Sequence, residues 1–518
     1  MGDNRLYLDY ISGQVAAAQF YTHAPLHFGA ALEGRRGHAY PRQEIVSCLG
    51  QYNARLGAHA RALQNIDALA DPATFCVVAG QQAGFLGGPA YTAYKIVTAI
   101  RLASHLQGRL PGYFVPVFWL ASEDHDFQEI NHAYLIQGDG EVGQVKFDWE
   151  QEGNPISDLP IGDDVRRAYD AYFENLVPGP YLAPTRDLFA FQAGEDFTTW
   201  QARTWAQIFS GWGLVIVEPK LLSAPARSLL QFALQHQDAI SHLMRDTARC
   251  LSAAGYTPAL DAEQAGRLFT FDPAGRRVRL EFAVPPEFVV SDLAAHPERY
   301  STDAALRPLL ADAMLPTVVS VLGPGEVAYQ AMLKPMYDLF DLPQPLLFPR
   351  KSYTVVSGAE ADALRRYRLP EAGAEQILAG QLDVDAAFQS LVPASEQGLF
   401  AQAARQIEDA LAPLRTYLES IDPSLERTWS QTVYNALRSL ERLQERAAKA
   451  RMSQLGFSKQ ELRSLQNALL PRGRLQERVF PLPHFLNRHG LDFIDMLLEA
   501  GALDDFAHHL LTVEGDGG

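Results

Sequence analysis

Short apolar runs separated by helical segments recur through the first two-thirds of the chain and constrain its fold more than any other feature. Each run is short enough for a strand and carries no alternating polar face, so its strand is expected to be covered on both sides. Strands that alternate with helices favour parallel pairing. The pattern predicts an α/β fold with a mostly parallel sheet and helices on both of its faces. The runs are Phe75–Ala79, Phe114–Ala121, Leu214–Glu218, Pro316–Leu322 and Leu346–Pro349.

Two irregular stretches interrupt this alternation, and we interpret them as insertions at about residues 139–200 and 262–300 of a core that spans residues 1–392. The first stretch is rich in turn-forming residues. In the second, the sequence LFTFDPAGRRVRLEF is typical of a β-hairpin that turns at Asp272–Gly275. The sequence assigns a ligand to neither insertion.

A helical pattern replaces the α/β pattern after about residue 393. Two stretches repeat apolar residues at alternating spacings of four and three, and Asp422–Pro423 separates them, so residues 393–456 are expected to form an antiparallel coiled-coil arm. The seam contains several alanines and is thin, and we favour a homodimer over a purely intramolecular arm. Residues 457–518 have a globular composition and are expected to dock back on the core. The heptad positions are Phe400, Ala404, Ile407, Leu411, Leu414, Leu418 and Ile421, then Trp429, Val433, Ala436, Leu440, Leu443, Ala447 and Ala450.

The charge balance disfavours several classes of function. The 518 residues include 44 Lys and Arg against 61 Asp and Glu, a formal net charge of −17, which opposes nonspecific binding to nucleic acid or to an anionic membrane surface. The N-terminus has no export signal and no apolar run is long enough to span a bilayer, so we expect a cytoplasmic protein that acts on small molecules. The three cysteines have no CxxC spacing, which argues against a disulfide framework or a cysteine zinc site.

The stretch from Cys76 to Arg101 combines an apolar strand, a glycine-rich loop and a helix. A helix N-terminus presents unpaired N–H groups, and glycines allow a ligand close to the backbone, so the stretch is either an anion site or a structural turn. It matches neither GxxxxGK[ST] nor a strict GxGxxG. Lys95 either serves this site or extends along the helix surface. The candidate residues are Gly80, Gln81, Gln82, Gly84, Tyr91, Tyr94 and Lys95.

Acidic residues and two histidines follow the second apolar run. Ligands of open α/β sheets bind beyond the carboxyl ends of the strands, where this cluster is expected to lie. If a helix begins near Asp124, then His125, Glu129 and His132 share one face and form a possible metal site; helix capping is the alternative. Carboxylates beside a histidine also suit binding an ammonium group and removing a proton from an amine. The candidates are Glu123, Asp124, His125, Asp126, Asn131 and His132.

Two further turns follow predicted core strands. The first contains glycines and an acid, and the second contains adjacent cations and hydroxyls, which are typical of groups that neutralise phosphate. We expect the four turns to lie near one another, although each alone is compatible with a surface loop. The candidates are Gly323, Gly325, Glu326 and Tyr329 in the first, and Arg350, Lys351 and Ser352 in the second.

Several long motifs resemble one known family. AGQQAGFLGGPAYTAYK, VPVFWLASEDHDFQEINHA, LGPGEVAYQAMLKPMYDLF, FPRKSYT and LQERVFPLPHFLNRHG are similar, in this order, to the cysteine-adding enzyme of bacillithiol biosynthesis. The resemblance implies a Rossmann-like core with connecting-peptide insertions and a coiled-coil arm that makes a homodimer. It also implies a carbon–nitrogen ligase that uses ATP, with Mg²⁺, to join L-cysteine to the amine of glucosaminyl-malate.

On this interpretation each turn has an expected role. Gly80, Gln81 and Gln82, with Lys95 and the helix from Pro89, bind phosphate or the activated carboxylate, while the turn from Arg350 to Ser352 neutralises leaving-group charge. The acidic turn orients the amines, with His125 as base and Asn131 as a hydrogen-bonding partner. Glu326 and Tyr329 contact sugar or malate hydroxyls. Two alternatives stay open: a metal-dependent hydrolase or transferase that uses the Glu123–His132 cluster, and a non-catalytic dimeric metabolite-binding protein.

Overall fold

The computed structural model describes residues 4–124, 126–149, 153–281, 285–367, 369, 371–391 and 394–513. Within these ranges the chain divides into two compact units. The core unit lies within Met1–Leu135, Gly143–Tyr353 and Glu477–His509, and the second unit lies within Ile136–Val142, Thr354–Gln476 and Leu510–Gly518. None of the helices in the described ranges is both long enough and apolar enough to cross a membrane.

Most strands of the described residues belong to the core unit. In chain order they are β1 (Thr74–Gln82), β2 (Tyr113–Ala121), β3 (His132–Ile136), β4 (Val142–Lys146), β5 (Val215–Val217), β6 (Leu268–Phe271), β7 (Arg277–Arg279), β8 (Ser301–Thr302), β9 (Thr317–Leu322), β10 (Leu346–Pro349), β11 (Ser352–Ser357) and β12 (His508–Val513).

The helices precede, connect and follow these strands. They are α1 (Arg5–Ile11), α2 (Val15–Ala18), α3 (Phe28–Arg35), α4 (Arg42–Arg55), α5 (Ala60–Ala68), α6 (Tyr91–Leu106), α7 (Phe127–Ile130), α8 (Asp163–Asn175), α9 (Leu182–Leu188), α10 (Phe197–Ile208), α11 (Arg227–Gln235), α12 (Gln237–Ala253), α13 (Glu287–Ala295), α14 (Leu306–Met314), α15 (Pro324–Gln330), α16 (Lys334–Leu339), α17 (Gly358–Arg366), α18 (Glu371–Leu378), α19 (Val384–Ser390), α20 (Ala394–Ile421), α21 (Leu425–Gln454), α22 (Lys459–Leu469), α23 (Leu482–His489) and α24 (Asp492–Glu499).

A five-stranded parallel sheet forms the centre of the core unit. Its order is β10-β9-β1-β2-β5, and all neighbouring pairs are parallel. All five apolar runs of the sequence supply a strand, and both faces of β2 are buried, as are those of β9 apart from one half-buried position. The predicted α/β fold with a parallel sheet is therefore confirmed.

The sheet order places a switch point beside β1. The chain moves from β1 to β2 and β5 on one side, and β9 and β10 then add on the other side of β1. The connections after β1 and β9 therefore leave in opposite directions, which opens a crevice at the carboxyl ends of these two strands. This edge of the sheet is where polar residues were predicted to meet.

The predicted β-hairpin in the second insertion is also confirmed. Strands β6 and β7 pair antiparallel, and β8 adds to β6 to complete a three-stranded sheet. The Asp272 amide donates to the Arg276 carbonyl at 2.9 Å, and Gly275 has a φ of 81°, which glycine adopts without strain. The hairpin places Arg277 in the wall of a cavity.

The arm of the second unit is an antiparallel helix pair formed by α20 and α21. Arg451 pairs with Glu396 at 3.0 Å, and the Trp429 indole donates to the Leu411 carbonyl at 2.9 Å, so residues early in one helix meet residues late in the other. Helix α20 continues through Pro413. The predicted antiparallel coiled coil is confirmed.

The seam of the arm follows the predicted heptad only in part. Trp429, Val433, Ala436 and Leu440 are half-buried, but Leu443 and Ala447 are exposed, and positions 444 and 448 take their place. A straight α-helix has 3.6 residues per turn and drifts by about 20° per heptad from a 3.5-residue repeat. The predicted seam is therefore wrong by one residue beyond Leu440, and in α20 the predicted positions Leu414 and Ile421 are also exposed.

Apolar side chains lie on the arm surface, among them Tyr434 at 55% and Leu443 at 58% exposure. The homodimer is still a prediction, and these side chains allow it to be tested. We expect Leu443→Asp to shift the mass measured by light scattering towards monomer without loss of helical circular dichroism, because a buried charge at a dimer seam is unfavourable. Glu445→Gln, on another face of α21, is the control. If Leu443→Asp stays a dimer, the exposed face of α21 around Leu443 is not the dimer interface.

Candidate functional site

A cavity of about 600 Å³ lies at the carboxyl edge of the parallel sheet. Its walls include Gly80, Gln81 and Gln82 at the end of β1, and Leu322 at the end of β9. It thus occupies the crevice that the switch point opens. We call it the large cavity.

One wall of the large cavity is acidic. Gln82 Nε2 donates to Asp124 Oδ2 at 2.6 Å, which fixes that carboxylate at the rim. Burial raises the pKa of Glu123 to about 7, although Arg277 opposes this shift. Burial, Asp126 and Asp124 also raise the pKa of Glu129. The wall therefore offers one fixed carboxylate and one carboxyl group that changes charge near neutral pH.

Two arginines that the sequence did not indicate line the same cavity. Arg277 comes from the hairpin strand β7, and Arg307 comes from helix α14. Burial alone lowers the pKa of Arg307, but Tyr329, Asp124 and other neighbours outweigh it and raise the pKa overall. Arg277 lies in the hairpin that the sequence predicted, but no local pattern distinguished it from Arg276 or Arg279, and none marked Arg307.

A smaller cavity of about 250 Å³ adjoins the large one, and Gln81, Glu326 and Tyr329 line both. Lys95 stands in its wall with its side chain only 2% exposed. The ammonium donates to Gly80 O and Gln81 Oε1, each at 2.9 Å, and pairs with Glu326 Oε2 at 2.5 Å. Because these contacts use all three of its donors, Lys95 fixes the wall and supplies positive potential. Burial lowers the pKa of Lys95, and Glu326 offsets part of the shift.

Two guanidinium groups give the small cavity a cationic lining. Arg350 lies over the Tyr91 ring at 5.3 Å, and its Nη2 donates to Glu477 Oε1 at 2.6 Å. Arg478 is exposed and lines the same cavity. Gly323 and Gly325 complete the lining. The sequence motif LQERVF contained Glu477 and Arg478, but no role was predicted for them.

The glycine-rich loop after β1 does not open towards either cavity. A Cβ on Gly84 would lie 2.8 Å from the Gly88 Cα, and one on Gly87 would lie 2.7 Å from the Trp205 ring. The Ala90 amide at the start of α6 donates to the Phe480 carbonyl at 2.8 Å. The loop is thus a packed turn whose Ala90 amide is occupied, whereas Gln81, Tyr91 and Lys95 of the predicted cradle line the small cavity. Phosphate binding by these residues stays a prediction.

Three other predicted residues also point elsewhere. The Tyr94 side chain is fully buried and packs edge-on against Tyr353. The Lys351 ammonium donates to the carbonyls of Ala502, at 2.7 Å, and Asp505. The Ser352 hydroxyl donates to Glu477 Oε1 at 2.9 Å. Lys351 and Ser352 therefore stabilise the turn that positions Arg350, and neither lines a cavity.

The acidic turn contributes fewer residues than predicted. His125 lies outside the described residues. Asp126 is exposed and lines neither cavity. The Asn131 amide donates to the Phe147 carbonyl at 3.2 Å, so it holds neighbouring backbone segments together. His132 begins β3, and its Nδ1 lies 3.2 Å from Asn131 Oδ1.

The geometry does not support the proposed helical metal site. Helix α7 covers only Phe127–Ile130, so Glu129 and His132 do not share a helical face. Among the residues that the structure describes, no group of three His, Cys, Asp or Glu side chains is arranged to hold a metal ion.

The sheet, the switch-point crevice and the two adjoining cavities define a Rossmann-like α/β enzyme with a helical coiled-coil domain. Comparisons with known sequences identify the family. The domain described as "Bacillithiol biosynthesis BshC, N-terminal Rossmann-like domain" matches residues 2–351, and "Bacillithiol biosynthesis BshC, C-terminal coiled-coil domain" matches residues 354–513. The chain therefore belongs to the bacillithiol biosynthesis BshC family.

Individual relatives match over nearly their full length. A protein of Geobacillus thermodenitrificans named "Putative cysteine ligase BshC" is 31% identical, with 95% of each chain covered. Proteins of the same name from Salinibacter ruber and Bacillus cytotoxicus are 29% and 27% identical, covering 98% and 94% of this chain and 96% and 93% of their own. The family resemblance and the prediction of a carbon–nitrogen ligase are confirmed. Its nucleotide, its substrates and its location in the cell stay predictions.

The buried contact between Arg350 and Glu477 yields a stability prediction. The Glu477 side chain is only 1% exposed, so Glu477→Gln leaves a buried guanidinium without its counter-charge and is expected to lower the free energy of unfolding by about 3 kcal/mol. Asp164→Asn, which removes the exposed partner of Arg167, is the control and should cost less than about 1 kcal/mol. Urea unfolding followed by tryptophan fluorescence measures both. Equal midpoints for the two variants would contradict the structural role of Glu477.

Proposed function

We propose that this protein joins the carboxyl group of L-cysteine to the amine of glucosaminyl-malate in an ATP-dependent reaction that yields bacillithiol. The name that its relatives carry supports cysteine as the donor. The observation that carries the proposal is the shared wall of Gln81, Glu326 and Tyr329, which joins a cavity with an acidic side to a cationic cavity.

This arrangement meets the chemical demands of amide formation. A carboxylate condenses with an amine at a useful rate only after one of its oxygens has become part of a leaving group. Transfer of a phosphoryl or adenylyl group from ATP does this, so the enzyme handles polyphosphate and ammonium groups a short distance apart. A cationic cavity beside carboxylates separates these charges while keeping the reacting groups adjacent.

The small cavity suits the phosphate groups. Arg350 is held by Glu477 and Tyr91, so its guanidinium is fixed before a ligand binds. Arg478 adds a second, exposed guanidinium at the same cavity. Bidentate guanidinium contacts match phosphate oxygens in geometry as well as charge. Mg²⁺ would enter with ATP, bound chiefly by its phosphates.

The large cavity suits the amine. Asp124, fixed by Gln82, is placed to hold an ammonium group. Glu123 is the carboxyl group best suited to remove a proton from the attacking amine, because a base with a pKa near the working pH is both available and effective. Expulsion of AMP or phosphate from the activated cysteine then completes the amide bond.

The direct test is an isotope-exchange assay. Cysteine-dependent exchange of labelled pyrophosphate into ATP supports activation through AMP. Without exchange, cysteine-dependent release of phosphate in the presence of glucosaminyl-malate supports an acyl phosphate. Absence of both, together with absence of the thiol product by mass spectrometry, would exclude an ATP-dependent ligase and favour a non-catalytic binding protein.

The cationic lining predicts a nucleotide-specific effect. Arg478→Ala should raise the KM for ATP by about tenfold or more, since a charge-assisted contact to phosphate contributes about 1.5–3 kcal/mol. The KM for glucosaminyl-malate should change little. Arg474→Ala is the matched control, because Arg474 is also exposed and lies four residues earlier, but lines neither cavity. Equal effects of the two variants would contradict the phosphate role.

The raised pKa of Glu123 predicts a pH dependence. The base acts only when deprotonated, so kcat should fall as the pH drops below about 7. Glu123→Gln should lower kcat at pH 8 by about 10²–10⁴-fold and remove this contribution from the profile. The substrate amine contributes the same pH dependence in every variant, so the difference between the pH profiles of the wild type and Glu123→Gln reports on Glu123 alone. Asp126→Asn should retain the wild-type profile, and an unchanged profile in Glu123→Gln would refute the assignment.

A further inference from the structure

The two arginines of the large cavity are built in from elements outside the parallel sheet. Arg277 is held rigidly: its Nε donates to Ser301 Oγ at 2.9 Å, its Nη2 donates to the Thr302 carbonyl at 2.6 Å, and its guanidinium lies over the Phe269 ring at 3.8 Å. Its Nη1 lies 4.0 Å from Asp124 Oδ1. The guanidinium is therefore fixed beside the acidic wall.

Arg307 is half-buried in the wall of the same cavity. Tyr329 and the carboxylates of Glu123, Asp124 and Glu326 all influence the charge of its guanidinium. A guanidinium carries five N–H donors in a planar arrangement. Because Arg307 lines the cavity, its guanidinium can meet a ligand there, and a carboxylate is the planar group that fits it best.

Two uncharged side chains in the wall of the same cavity carry polar atoms without a partner in the described ranges. The indole Nε1 of Trp119 and the amide Oε1 of Gln330 are buried and have no hydrogen-bonding partner among the described residues. Their side chains are 4% and 2% exposed, and both residues line the large cavity. One is a donor and the other an acceptor, a pair that hydroxyl groups can satisfy together.

These observations define the chemistry of the occupant. An ammonium group suits the carboxylates, hydroxyl groups suit Trp119 and Gln330, and a carboxylate suits the two arginines. We propose that Arg307, with Arg277 beside it, binds the carboxylate-bearing aglycone of an amino-sugar acceptor and makes the enzyme specific for acidic over neutral glycosides. This inference rests on the proposed ligase function, and it assigns acceptor specificity to Arg277 and Arg307 and not to the turn from Arg350 to Ser352.

The test compares two acceptors that differ only at the aglycone: glucosaminyl-malate and methyl α-glucosaminide, which has no carboxylate. Arg307→Gln should lower kcat/KM for glucosaminyl-malate by about 10–100-fold, the loss expected for a charged hydrogen bond, and change that for the methyl glycoside by less than about threefold. Arg307→Lys should fall between Arg307→Gln and the wild type, because an ammonium keeps the charge but loses the fork.

The hairpin provides a matched control. Arg279 is in the same strand as Arg277 and also lies near the Phe269 ring, but it pairs with Glu281 and lines neither cavity. Arg279→Gln should therefore keep the wild-type preference between acceptors. Circular dichroism and thermal unfolding confirm that each compared variant is folded.

The outcomes separate this inference from the proposed function. Equal losses for both acceptors in Arg307→Gln would overturn the inference, because Arg307 would then only balance the charge of the cavity. If the wild type ligates neither acceptor, the affinities of both acceptors for the wild type and for Arg307→Gln are measured by calorimetry instead. If the wild type binds glucosaminyl-malate more tightly and Arg307→Gln abolishes this preference, the carboxylate site is supported although the ligase assignment fails. If the preference persists in Arg307→Gln, the inference about the carboxylate site is overturned.

Discussion

The buried ammonium of Lys95 holds the site together. Helix α6 carries it, and its three donors reach the Gly80 carbonyl and the Gln81 amide at the end of β1 and the Glu326 carboxylate in α15. Glu326 Oε2 in turn accepts the Gly323 amide at 2.7 Å, which fixes the turn after β9. One cation thereby links the two strands on either side of the switch point. Since Gln81 and Glu326 also line both cavities, the same contacts build the wall that separates phosphate from amine in the proposed reaction.

Much of the fold could be predicted from the sequence because its determinants are local. A run such as Val115–Ala121 is apolar on both faces, and such a strand is stable only inside a sheet that is covered on both sides. The strand ends could be predicted for the same reason, and Gly80, Gln81, Glu123 and Glu326 do line the cavities. The arm illustrates the limit of a periodic pattern: a small error per turn accumulates, and beyond Leu440 it moves the seam by one residue.

The remaining part of the site depends on tertiary contacts that no local pattern contains. Arg277 and Arg307 reach the large cavity from a hairpin and a helix far along the chain from β1, and Arg478 reaches the small cavity from beyond the arm. The glycine-rich loop shows the converse. Its sequence suits an anion cradle, but only the folded chain reveals that Phe480 uses the amide of Ala90 and that Trp205 fills the space beside Gly87. Glycines there permit close packing of protein against protein.

The acidic turn gives two adjacent carboxyl groups opposite tasks through their surroundings. Asp124 accepts a hydrogen bond from Gln82 and lies near Arg277, contacts that fix its carboxylate at the rim of the cavity. Glu123 has burial as its dominant influence, and burial favours its neutral form. Because its pKa is higher in the folded than in the unfolded state, the stability that its protonation contributes is present below the ordinary glutamate pKa and is lost as the pH rises through about 7. At neutral pH the partly charged Glu123 therefore destabilises the fold, but a carboxyl group with a pKa near 7 can exchange a proton at that pH. This property supports Glu123 as the residue that removes a proton from the amine.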